Sequence, residues 1–334
     1  MADRLDGGAW RAKPRRAAET KTAMAAAALA VAVAVAVAGP GPARPPDARA
    51  DRAAGPSVAE LTALADTVVV GRVTAATPLP VKEPRLSWEP SDRAEVAVTA
   101  VLKGASPGAA VSIGYTPDAR HASFTIEIGR TLVFFLQPPM EGDALWGLVD
   151  HWDGAAAPSP AIVDEVRRVA ARPGSTWRAG AAGVRALLVA DRDTYRPTDE
   201  ISLKLFVQNR GPRPVAYQVL SWPRAAHTYV ALRVTAGPAI IAPVPVPWLT
   251  DAEIASYFAK RGKFSSPLYP GSLQAFRLDR INRAEKGWGY KEELDFASYP
   301  VAAPGEYAVS ARAFHLVAEA DVLDAGPVTI HVTP

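Results

Sequence analysis

The chain contains no cysteine among its 334 residues, and that absence removes several chemistries at once. No disulfide can staple a small core, no thiolate can act as a nucleophile, and no cysteine-based zinc site can form. A lipid-modified N-terminal cysteine is excluded with them. Stability must come from buried apolar area. Charge of one sign is also scarce once the first residues are set aside. The whole sequence holds 37 Lys and Arg against 34 Asp and Glu, but residues 1–38 carry six of the former (Arg4, Arg11, Lys13, Arg15, Arg16, Lys21) and three of the latter (Asp3, Asp6, Glu19), leaving 31 of each. The remainder is neutral, so steering toward nucleic-acid phosphates or anionic lipid is not expected. A short basic cluster, Lys260-Arg261-Gly262-Lys263, fits a solvated helix end. No P-loop, no G-x-G-x-x-G and no H-E-x-x-H pair occurs, so no cofactor and no metal centre is implied. His121, His151, His227, His315 and His331 are scattered, and no internal repeat relates the two halves.

What is present begins with location. Residues 23–38 read AMAAAALAVAVAVAVA, an uncharged apolar run behind a basic leader and ahead of Gly39-Pro40-Gly41-Pro42. The run is shorter than the roughly 20 strongly apolar residues of a comfortable membrane span. With small residues at Ala36-Val37-Ala38 it reads as an export signal, a retained N-terminal anchor being the alternative. The expected location is periplasmic, cell-surface or secreted. Residues 39–56, rich in Pro, Ala and Arg without an apolar period, read as a disordered linker.

Order is expected from Ser57, where Ser57-Val58-Ala59-Glu60 fits a capping box ahead of a short helix to Ala65. From Thr67 the period becomes that of strands: Val68-Val69-Val70 and Val73, then Val96, Val98 and Leu102 within residues 95–102, residues 111–115, the pair-spaced Phe124, Ile126 and Ile128, then residues 132–136 and 145–149. Five or six short, evenly spaced strands predict a small antiparallel, OB-like barrel over residues 57–171. A helix follows at 160–171, with Ser159 as N-cap, Pro160 in the first turn and Ile162, Val163, Val166 and Val169 on one face. Residues 172–183 read as a linker. Beyond it Ile201, Leu203, Leu205 and Val207 alternate with Ser202, Lys204, Phe206 and Gln208, a half-buried antiparallel strand ending at Asn209-Arg210-Gly211-Pro212. Residues 215–220, Tyr229 to Thr235, Phe276 and Leu278, Tyr307 to Ala313 and Val328 to Val332 continue the alternation. Residues 184–334 are therefore expected to form an immunoglobulin-like sandwich of two packed sheets. It is interrupted by an insertion at 237–299, which holds a second capping box at Thr250-Asp251-Ala252-Glu253 with a Leu249–Ile254 staple.

Two stretches resemble known families. ADTVVVGR at 65–72, with VTAVLKGASPG at 98–108 and residues 130–136, resembles an exported bacterial domain with the barrel fold of tissue inhibitors of metalloproteinases. DRDTYRPTDEISLKLFVQNRG at 191–211, with Pro304-Gly305-Glu306-Tyr307 and residues 326–332, is similar to immunoglobulin-like sandwiches of the bacterial proteinase-inhibitor type. These are turn-and-strand signatures, which identify folds rather than activities. In the metalloproteinase inhibitors an N-terminal cysteine chelates the target's zinc. This chain has no cysteine, so that mechanism does not transfer.

Gly104-Ala105-Ser106-Pro107-Gly108 satisfies G-x-S-x-G, yet residue 107 is a proline without the N–H an oxyanion hole needs, and a strand is expected next, so a turn is the better reading. Asp191, Asp193, Asp199 and Glu200 could approach a hard cation, but they fit the solvated loop before a strand better. The aromatics in and around the insertion stand out: Trp222, Trp248, Tyr257, Phe258, Tyr269, Trp288, Tyr290 and Tyr299. Aromatics on loops offer large contact area with few rotors, so Trp248, Trp288 and Tyr290 are the candidate partner-binding residues. Packing at the sandwich end is the competing role. The expectation is a non-enzymatic, exported binding or structural protein contacting a protein or polysaccharide of the bacterial envelope. A protease inhibitor acting through a loop is the alternative, and an envelope hydrolase a second one.

Overall fold

The computed structural model describes residues 56–80, 89–117, 125–150, 153–172, 176–217, 230–243, 266–281, 299–318 and 320–334, with Ala252 and Ser256 besides. The chain divides into residues 1–52, which lie outside that set, and a compact unit from residue 53 to the end. The expected signal run and most of the expected linker therefore fall outside the described residues, as does nearly all of the second capping-box helix.

The compact unit opens with α1 (Val58–Leu64). Both halves of its capping box form: Ser57 Oγ accepts from Glu60 N–H at 3.2 Å, and the Glu60 carboxylate accepts from Ser57 N–H at 2.9 Å. Strands β1 (Thr67–Pro78), β2 (Asp92–Lys103), β3 (Ala110–Tyr115), β4 (Thr131–Gln137) and β5 (Trp146–Leu148) then close a barrel in the order β1-β2-β3-β5-β4-β1, with β6 (Ala155–Ala156) on the edge of β4. That order is the OB-like arrangement; every pair in the ring is antiparallel except β3 with β5. Alternation explains the interior: Leu132, Phe134 and Leu136 of β4 point into the barrel beside Val69, Val96 and Ile113. Of the expected strand at Phe124–Ile128, Phe124 lies outside the described residues and residues 125–128 form no strand. Ile126 is buried in the barrel, whereas Ile128 sits in the turn before Arg130, two-thirds exposed.

Helix α2 (Pro160–Ala170) begins where expected, with Ser159 Oγ accepting from Ile162 N–H at 3.2 Å and Val166 and Val169 buried. Residues 176–183, at the expected boundary, hold β7 (Arg178–Ala179) and a turn. The second lobe is a sandwich. One sheet runs β15-β10-β8-β7, using β8 (Val184–Ala190), β10 (Ile201–Asn209) and β15 (Leu273–Ile281). The other is built on β16 (Gly305–Val317) and β17 (Ala320–Val332), with β11 (Val215–Tyr217), β12 (Val230–Ala236), β13 (Ala239–Ile241) and β14 (Ser266–Leu268) beside them and β9 (Thr194–Tyr195) on β17. Ile201, Leu203, Leu205 and Val207 face Val309, Ala311 and Ile330 across the core. The protein is mainly β: a barrel followed by a sandwich.

A third apolar cluster lies between the two lobes. Val133 and Phe135, the outward residues of β4, meet Leu187 and Val189 of β8 and Phe206 of β10, with Leu61 and Leu64 of α1 and Val166 of α2 filling the gap. The β8–β10 sheet is thus covered on both faces. Burying each such side chain contributes about 1.5–3 kcal/mol relative to exposure, which ties the lobes together.

Candidate functional site

The densest polar chemistry among the described residues lies on that same seam. Asp66, in the turn from α1 to β1, accepts two N–H bonds from Arg185 of β8, at 3.0 and 2.7 Å. The bidentate match of carboxylate and guanidinium fixes the angle between the lobes. Arg185 Nε also donates to Gln208 Oε1 at 2.8 Å, and its guanidinium lies 4.2 Å from the Trp177 ring centroid. Trp177 in turn donates its indole N–H to Leu64 O at 3.1 Å, and Gln208 Nε2 donates to Gln137 Oε1 at 2.6 Å. Lys103 ends β2 by giving its ammonium to three carbonyls at the end of α1: Thr62 and Ala65 at 2.6 Å and Ala63 at 3.2 Å. A cation there satisfies acceptors the helix cannot. Burial pushes the Lys103 amine down to about 8; Asp66 opposes the shift and Arg185 adds to it. Arg210 reaches back from the sandwich to Pro138 O at 2.7 Å and Pro139 O at 3.2 Å. Glu60 of the capping box is also paired with Lys204 of β10 at 2.6 Å.

Strands end at this seam because their polar termini do. Arg185 and Gln208 are the polar residues in otherwise apolar stretches, VRALLVA and LFVQ, and the two are partners in the β8–β10 register. Nothing in the period of either strand says that its second face meets a barrel. Sequence reasoning misses Asp66, Lys103, Gln137, Arg185 and Gln208 as a group. The available signal is a buried-type apolar run broken by one polar residue.

The motifs that stand out in the sequence resolve differently. Ser106 lies in the exposed connection from β2 to β3, its Oγ accepting from Gly108 N–H at 3.3 Å. The chain passes from strand to loop to strand, not from strand to helix, which is the wrong setting for a nucleophile elbow. The connection is also wider than a tight hairpin: β2–β3 register starts at Ala97 and Ala110, Val98 N–H still donates to Ala109 O at 2.9 Å, and the end of β2 up to Lys103 pairs with β1. Gly104 is required there, with φ +76° and a hypothetical Cβ only 2.1 Å from Asp66 O.

The acidic loop is occupied by its own partners. Asp191 accepts from the Tyr195 hydroxyl, Asp193 is paired with Arg168 and with Arg172 at 2.7 Å, and Asp199 is paired with Arg192 at 2.9 Å. Burial works to raise Asp193, but Arg172 and Arg168 outweigh it and hold its carboxyl below the ordinary value. Burial, then Asp191, pushes the Tyr195 hydroxyl well above its usual range. Among the described residues no group of three or more His, Asp or Glu is placed to hold a metal ion. His315 stands 3.6 Å from Asp321 and His331 3.9 Å from Glu306; His121, His151 and His227 lie outside the described residues.

Trp248, Trp288 and Tyr290 also lie outside the described residues, as do Trp222, Tyr257 and Phe258. The ends of the segment bearing Trp288 and Tyr290 are described, however. Ile281, the last residue of β15, forms a parallel bridge with Tyr299, and both are buried. The Tyr299 hydroxyl donates to Leu232 O in β12, so the return point is fastened to the opposite sheet. Ile281 and Tyr299, the residues on either side of 282–298, are therefore held together at one anchored place in the sandwich. Comparison of the chain with protein-family models gave no match, and comparison with curated proteins gave none.

Proposed function

We propose that the chain is a non-enzymatic binding or structural protein of the bacterial envelope or exterior, and that it contacts another macromolecule through its aromatic insertion. The observation that carries this reading is the anchored base of residues 282–298, where Ile281 and Tyr299 pair inside the sandwich. A long connection with closed ends on a rigid support is how β scaffolds present binding loops. Trp288 and Tyr290 stand near the middle of that connection, with Gly287 and Gly289 as their neighbours. Support also comes from the seam. Its charged and amide groups mostly serve to hold two lobes together, which favours presentation of a surface over chemistry.

The test is a pair of measurements on the chain from residue 51 onward. Replacing Trp288 and Tyr290 together by Ala is expected to abolish capture of the envelope partner while moving the denaturant midpoint by less than about 0.5 kcal/mol in stability terms. Capture that survives the double change, or a large loss of stability, refutes the platform. Titration against metallo- and serine proteases separates a general binding module from a loop-acting inhibitor, since only the latter gives saturable inhibition.

A further inference from the structure

We propose that the seam between barrel and sandwich binds one small monovalent anion of the chloride class, held by the Gln137 amide and the Arg210 guanidinium. Beside the self-neutralising Glu60–Lys204 pair, three cationic side chains, Lys103, Arg185 and Arg210, share this region with one further carboxylate, Asp66. Two positive charges are therefore in excess where solvent is partly excluded. Arg210 registers the crowding: burial first, then Arg185, hold it below its ordinary value, with Asp66 acting the other way.

Donor accounting points to the same place. The three bonds of the Lys103 ammonium end on α1 carbonyls, and Arg185 is engaged by Asp66 and Gln208. Gln137 is only 4% exposed, yet its Nε2 has no acceptor among the described residues. This amide cannot be reversed to cure the defect. Arg185 can only donate, so the Gln208 oxygen must face it, and Gln208 Nε2 must then face an oxygen of Gln137. Reversal would set two NH₂ groups against each other. The unpaired donor is thus imposed by Arg185 through Gln208. Gln137 immediately precedes Pro138, whose carbonyl holds Arg210 at 2.7 Å, so the guanidinium is fastened to the backbone next to the residue that bears the orphan amide. A monoanion accepts from both and offsets half the excess; a cation adds to it. Water satisfies the amide but leaves the charge. A buried donor left unpaired costs stability, which is the driving force for filling the position.

The thermal midpoint of the chain from residue 51 onward, in sodium chloride and in sodium gluconate at equal ionic strength and pH 7, tests the site. The expected result is a chloride-specific rise of about 2–3 °C at ten times the dissociation constant, growing with the logarithm of chloride concentration beyond it. Gln137→Leu and Arg210→Gln are each expected to abolish that increment while a single unfolding transition remains. Equal midpoints in the two salts overturn the proposal, and so does an increment that persists in Gln137→Leu. If Gln137→Leu does not fold, Arg210→Gln decides together with bromide-soaked crystals. An anomalous peak within hydrogen-bond reach of Gln137 Nε2 supports the site, and bromide found only elsewhere refutes it.

Discussion

Changing Asp66 to Asn keeps the shape of the side chain and removes its charge, so it isolates the ionic part of the seam. In the native protein Asp66 receives both ends of the Arg185 guanidinium and is the counter-charge for Lys103. Breaking a fully buried pair by removing one partner costs about 3–5 kcal/mol, while a fully exposed pair is worth about 0.2–1 kcal/mol. The side chains here are 30% exposed for Asp66 and 15% for Arg185, between those limits. A loss of about 2 kcal/mol is expected, read as a lower guanidinium-chloride midpoint at unchanged slope. Arg185→Met loses the same pair and also the Gln208 bond and the stacking on Trp177, so it should cost more. The double variant then gives a coupling energy of about 1.5 kcal/mol. A coupling under about 0.5 kcal/mol refutes the reasoning, because the pair then behaves as a solvated surface contact.

Two further outcomes follow from the same seam. Phe206→Ala empties the centre of the interlobe cluster and should cost about 3–4 kcal/mol by chemical denaturation; a cost below about 1 kcal/mol means that the lobes do not depend on one another. Lys103 is held at about 8 against an ordinary 10.5, so between these values the unfolded chain binds more protons than the folded one. Its contribution to stability therefore rises with pH from about 8 to 10.5, and Lys103→Met should lack that rise; parallel pH–stability curves for the two proteins exclude the assignment.

Alternation carried most of the fold. β2, β10, β16 and β17 all show apolar residues two apart, and each covers the stretch where that spacing places a strand, β16 and β17 running several residues beyond it; β4 is legible instead as a continuous apolar run. The helix starts at Ser57 and Ser159 are equally legible, because an N-cap is a local chemical device that tertiary context rarely overrides. β8 is not anticipated by the sequence. Its run Ala186–Leu187–Leu188–Val189–Ala190 has no period of two, since one face serves the sandwich core and the other the barrel. The same circumstance hides Phe206 and Gln208, which occupy what reads as the solvent side of β10 yet are 4% and 0% exposed. A strand's own sequence says how many faces are buried, not which partner buries them. The seam residues are therefore the part least accessible to sequence, since Asp66 and Arg185 are 119 positions apart. Trp248, Trp288 and Tyr290 stand out by composition alone, and the structure bears only on the anchored ends of the segment that holds the latter two.

Differential scanning calorimetry of residues 51–334 tests most directly whether barrel and sandwich form one folding unit around the shared cluster. One transition with equal calorimetric and van't Hoff enthalpies, lowered as a whole by Phe206→Ala, is the predicted result. Two resolved transitions, of which Phe206→Ala moves only one, would contradict it.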